Sequence, residues 1–217
     1  RTALCEYLSK LDYSSVNINS AAIQTLKAIG RSRNCVIYNF NYTDIGRLYE
    51  RVGGSPSFSV YNIHGTLKEK SIVLGFEKTQ LPYTELDFMI KYQSDNYRTS
   101  PDNDIRKDLD EAEEILIFGH TLGCTDHPYF QKFFQREVDL HRAKQIPISI
   151  LTLNAKTRRL INREINSMND NQADMLNINF IQTHGNTPQE DIRDFFSTLE
   201  QRIAHFYVPL NPRVSFW

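Results

Sequence analysis

Cys35-Val36-Ile37-Tyr38-Asn39-Phe40-Asn41-Tyr42-Thr43-Asp44 is the stretch whose reading decides the fold. Val36, Ile37, Tyr38 and Phe40 are strand formers. Asn39, Asn41, Thr43 and Asp44 gather where such a strand ends. Ile45, Leu48, Tyr49 and Val52 then recur at helical spacing, so a helix over 44–52 follows, capped by Thr43 or Asp44. A hydrophobic strand that enters a helix through amides and hydroxyls is the anatomy of a ligand crevice in an open α/β sheet. The same residues are also ordinary turn and cap formers, so a plain strand end reads equally well.

Outward from this stretch the pattern repeats. Ala22, Ile23, Leu26 and Ile29 give a short helix ended by Gly30. Phe58 to His64 reads as a strand and closes at Gly65. Ile72 to Phe76 is a second short apolar run. The segment 78–101, with a helical pattern over 83–92, reads as an insertion or lid on the ligand edge. Ser100-Pro101 opens a helix that carries Ile105, Leu109 and Ala112 inward. Glu114 to Gly119 is a continuous apolar run, the mark of a strand buried on both faces. His120 to His127 is a polar loop, followed by a helix with Tyr129, Phe130, Phe133 and Phe134 inside.

Ile146 to Leu153 is the next strand, 156–168 the next helix, and Met175 to Gln182 the last clear strand. Thr187-Pro188-Gln189-Glu190 matches a capping box ahead of an amphipathic helix from Ile192 to Phe206. The tail from Pro209 to Trp217 is expected to be extended and docked. Alternating strands and helices predict one α/β domain over 1–217, a doubly wound, mostly parallel sheet. Right-handed crossovers bring Asn41, Gly119, Asn154 and Thr183 to one edge.

Composition narrows the function. The 217 residues hold 25 basic and 26 acidic side chains, so no global field attracts nucleic acid. No apolar run reaches membrane length, and a soluble cytoplasmic protein is expected. Cys5, Cys35 and Cys124 show no metal-ligand or disulfide spacing. The chain opens at Arg1 rather than methionine, so a fragment or a processed product is expected.

The chemistry legible at the sheet edge is modest. There is no phosphate loop, no dinucleotide fingerprint and no nucleophile elbow. His120, Asp126 and His127 on one loop are weak metal ligands without a further partner, and no metal is expected. His64-Gly65 and His184-Gly185 each offer a loop histidine. What remains is neutral hydrogen-bonding groups plus one histidine, which suits a polyhydroxyl ligand such as a ribose.

Three blocks, Asn39 to Asp44, Ile63-His64-Gly65, and Phe118 to Gly123 with Asp126-His127-Pro128-Tyr129-Phe130, resemble the phage abortive-infection AbiH family. That family is in turn distantly similar to sirtuin-type NAD-binding domains. The resemblance implies a sirtuin-like Rossmann variant that takes NAD as substrate or ligand. It implies His64 as catalytic base and Asn41 beside the nicotinamide ribose. Asn39, Phe40, Thr43, Asp44, Gly119, His120, Thr121, Leu122 and Asn154 would form the NAD-contacting set. Family members open with a strand and a glycine-containing loop that this chain lacks, so a sheet without its first strand is expected. Thr43 stands where the sirtuin block has an acid, with Asp44 one residue on. The four-cysteine zinc module is absent, which argues against deacylation.

Two functions follow from the resemblance. One is an antiphage NAD glycohydrolase that releases nicotinamide. The other is a non-catalytic module that holds NAD, ADP-ribose or another nucleotide and acts through a partner protein, or as a homo-oligomer. Nucleic-acid action ranks below both.

Overall fold

Among the described residues six parallel strands form one sheet, and alternation within them sets which face each helix covers. A computed structural model of the chain describes residues 2–30, 35–51, 53–54, 57–72, 105–183, 192–199 and 212–216. The helices are α1 (Thr2–Ser9), α2 (Ala21–Ile29), α3 (Ile45–Glu50), α4 (Ile105–Glu111), α5 (His127–Asp139), α6 (Ala155–Met168) and α7 (192–199). The strands are β1 (Val36–Asn39), β2 (Ser59–Asn62), β3 (Glu114–Phe118), β4 (Ile148–Thr152), β5 (Ile178–Gln182) and β6 (Pro212–Phe216).

Neighbouring residues of a strand point to opposite faces. Tyr38, Ile115, Ile117, Ile148 and Ile150 face one side and pack with Leu109 of α4, Phe133 and Phe134 of α5, and Ile161 and Ile165 of α6. Ile37, Leu116 and Leu151 face the other and pack with Ile23, Leu26 and Ile29 of α2, Leu48 of α3, and Phe196 and Leu199 of α7. The sheet is therefore doubly wound, as expected. Each of these aliphatic side chains contributes on the order of 1.5–3 kcal/mol by leaving water.

The strand order is β2-β1-β6-β3-β4-β5. This is the order of the doubly wound dinucleotide-binding fold, with its central place taken by the last strand in sequence. Arg213–Phe216 pair with Val36–Asn39 on one side, and Pro212–Phe216 pair with Glu114–Phe118 on the other. Pro212 lacks an N–H and takes the first place in the strand, where a missing ladder donor is tolerated. The expected extended, docked tail is thus the central strand. It joins the β2-β1 pair to the β3-β4-β5 group, and the two carry different parts of the candidate site.

Boundaries differ from expectation for local reasons. The first strand ends at Asn39, because the Asn39 side chain captures the Thr43 carbonyl and turns the chain. Asp44 caps α3 by accepting from the Arg47 N–H, so the helix starts at Ile45. The last strand of the alternating series starts at Ile178, since Ala173–Met175 is a 3-10 turn. The run 73–76, the insertion 78–101, its helical pattern and the Ser100-Pro101 cap lie outside the described residues. So do the 187–190 capping box, His184-Gly185 and the helix beyond residue 199. Among the described residues no helix is long and apolar enough to cross a membrane.

Candidate functional site at the strand ends

Because every strand runs the same way, their C-terminal ends share one edge, where α/β sheets bind ligands. Three of them converge. β1 delivers Phe40, β2 delivers His64, and the loop after β3 delivers His120 and Asp126.

Asn39 builds the first wall. It is fully buried and makes three hydrogen bonds. Its amide donates to the Thr43 carbonyl at 2.8 Å and to Asn62 Oδ1 at 2.7 Å, and its own oxygen accepts from the Asn41 N–H at 3.1 Å. Asn39 shapes the turn. Asn41 is exposed just beyond it, with Oδ1 accepting from the Tyr42 N–H.

His64 follows β2 on a tight turn. Ile63 N–H donates to the Asn39 carbonyl, and Gly65 adopts φ +78°. The Phe40 ring lies edge-on to His64 at 5.4 Å and tilted on His120 at 5.1 Å, with Tyr129 and Phe130 behind. Phe40 is a buried wall between the two imidazoles.

The β3 loop supplies the charge. Gly119 at φ 67° turns the chain out of the sheet, and Leu122 holds φ 53° while fully buried. His120 Nδ1 accepts from the Leu122 N–H at 3.1 Å, and His120 Nε2 meets Asp126 Oδ2 at 3.1 Å. Asp126 Oδ1 stands 3.6 Å from His64 Nε2. One carboxylate therefore lies between two histidines, and all three side chains are buried. A buried carboxylate costs several kcal/mol unless it is paired, which these contacts provide. Asp126 also occupies the N-cap position of α5 but makes no capping bond; its oxygens face the histidines instead.

The remaining expected residues take other places. Asp44 caps α3, and Asn154 caps α6 by accepting from the Thr157 N–H. Gly119 and Thr121 are exposed on the same edge. His127 leaves the cluster to pair with Glu164 of α6 at 3.2 Å. Among the described residues no group of three or more His, Cys, Asp or Glu is placed to hold a metal ion. Sequence reasoning passed over Asp126 as the partner of His64. The usable signal was an Asp ahead of Pro128 in a loop bound for the same edge as His64.

A family model described as bacteriophage abortive infection AbiH matches residues 1–147. His64, His120 and Asp126 all lie within the match. No curated protein and no solved structure matches the chain.

Proposed function

The chain belongs to the bacteriophage abortive infection AbiH family, and from that premise we propose that its strand-end site binds NAD and cleaves the nicotinamide glycosidic bond. The observation that carries this reading is the buried His64–Asp126 contact at the edge where doubly wound sheets bind nucleotides. A histidine backed by a carboxylate is equipped to accept a proton.

Exposed groups on the same edge suit the ligand. Asn41 offers a donor and an acceptor for a carboxamide or a water. Gly119 carries no side chain and admits close approach, and Thr121 offers a hydroxyl. In the reaction, water attacks the ribose C1′ and the C1′–N bond breaks. Its electron pair goes to the nicotinamide nitrogen and neutralises the pyridinium. The proton of the attacking water passes to His64 and then to solvent, so the products are nicotinamide, ADP-ribose and a proton.

A second reading is favoured by the burial of His64, which is only 5 % exposed. The same edge would hold NAD or ADP-ribose without chemistry and act through a partner protein.

The test is incubation of the full-length protein with NAD, followed by chromatography for nicotinamide and ADP-ribose. Nicotinamide release by the parent, reduced about 10²–10⁴-fold in a His64→Ala protein that still unfolds cooperatively, supports the enzyme. Full turnover by His64→Ala removes the assigned base. NAD recovered intact, with a raised melting temperature, supports the binding module.

A further inference from the structure

We propose that Asp126 and His120 form one positioning unit that sets the tautomer of His64, with the Nε2 proton toward Asp126 and the lone pair on Nδ1. The part this plays in turnover rests on the NAD-cleaving reading; the tautomer itself does not.

The argument starts from a backbone amide. The Leu122 N–H can only donate, so His120 Nδ1, at 3.1 Å, carries a lone pair. In a neutral imidazole the proton then sits on Nε2. That nitrogen is 3.1 Å from Asp126 Oδ2, an acceptor. The first oxygen of Asp126 is thereby engaged and the carboxylate plane is held. Its second oxygen lies 3.6 Å from His64 Nε2. An ionised carboxylate offers acceptors only, so it favours the His64 tautomer with the proton on Nε2. Contacts of this kind are often long without substrate and shorten when it binds.

Two features show that the unit is built for this. Leu122 holds a left-handed backbone, a conformation that costs an L-residue free energy, and this directs its N–H at His120. Asp126 sits at a helix N-cap, where Asp ordinarily accepts from the helix, yet it makes no such bond.

Asp126→Asn tests the proposal, because the amide keeps the carboxylate's shape. Its oxygen continues to accept from His120, so its NH₂ turns toward His64 Nε2. His64 must then accept there and move its proton to Nδ1. Long-range ¹H–¹⁵N spectra of the imidazoles are expected to show Nε2–H for both histidines in the parent. In the variant, His64 alone changes tautomer. The turnover number should fall by about 10⁴-fold with a nearly unchanged KM, the scale of the same exchange behind a protease histidine.

An Nδ1–H tautomer for His64 in the parent overturns the proposal, and this requires no variant to fold. So does an Asp126→Asn protein whose His64 keeps its tautomer. If the parent never releases nicotinamide but the tautomers are as stated, the NAD-cleaving reading fails and the positioning unit stands.

Discussion

Asn39 and Asn62, register partners at the ends of β1 and β2, join side chains through a 2.7 Å hydrogen bond from Asn39 Nδ2. The bond ties together the two strand ends that deliver Phe40 and His64. Asn39 also holds the Thr43 carbonyl and the Asn41 N–H. Asn39→Ala would remove three hydrogen bonds, each worth about 1 kcal/mol, and would leave polar groups without their partners inside the protein. A loss of about 2–4 kcal/mol in urea unfolding is expected. Asn62 is exposed, so Asn62→Ala should cost no more than about 1 kcal/mol. Equal losses for the two variants would show that Asn39 does not organise the turn.

Gly65 sets the direction of His64. Its φ of +78° is unfavourable for a residue with a side chain, and an added Cβ would lie 2.3 Å from the Ser71 carbonyl oxygen. That contact is with backbone, which cannot swing aside. Gly65→Ala should therefore cost about 2–3 kcal/mol or more, through backbone strain and displacement of the 66–71 turn. Exposed Gly53, with φ +79° but nothing near its Cβ position, is the control; Ala there should cost only about 1 kcal/mol. Thermal unfolding of the two variants separates strain from collision.

The sheet was legible because its strands are written in a simple code. The run Ile115 to Phe118 is apolar throughout since both of its faces are covered, and Phe130, Phe133 and Phe134 recur on one side of α5 because one core receives them. Arg213 and Pro212 hide β6. A segment with a charge and an imino acid reads as an extended, docked tail, and only strand pairing shows it at the centre. The site was legible in part. His64 and Phe40 announced themselves at strand ends, whereas Asp126 reads locally as one polar residue among several on the loop 120–127. Its contact with His64 is a product of the fold, brought about by the shared edge of β2 and β3. The Asn39 side chain binds the Thr43 carbonyl, the Asn41 N–H and Asn62, contacts that its place at a strand end does not announce.

Tyr42 gives the turn a dependence on alkaline pH. Burial pushes its phenol above the ordinary value of 10.0, and nearby Cys5 adds to the effect. The folded state therefore holds the phenolic proton more tightly than the unfolded state. Stability from this group is fully present below pH 10.0 and is lost as pH rises from there through the folded value. Tyr42→Phe has no proton to lose at this position. The chain has 11 tyrosines, so the informative quantity is the difference in unfolding free energy between parent and variant. That difference should be constant between about pH 7 and pH 9, and should move in favour of the variant above about pH 10. Urea unfolding at both ends of the range measures it. A difference that stays flat across the range would mean that the Tyr42 phenol ionises alike in the folded and unfolded states, and that burial at this turn does not act on it.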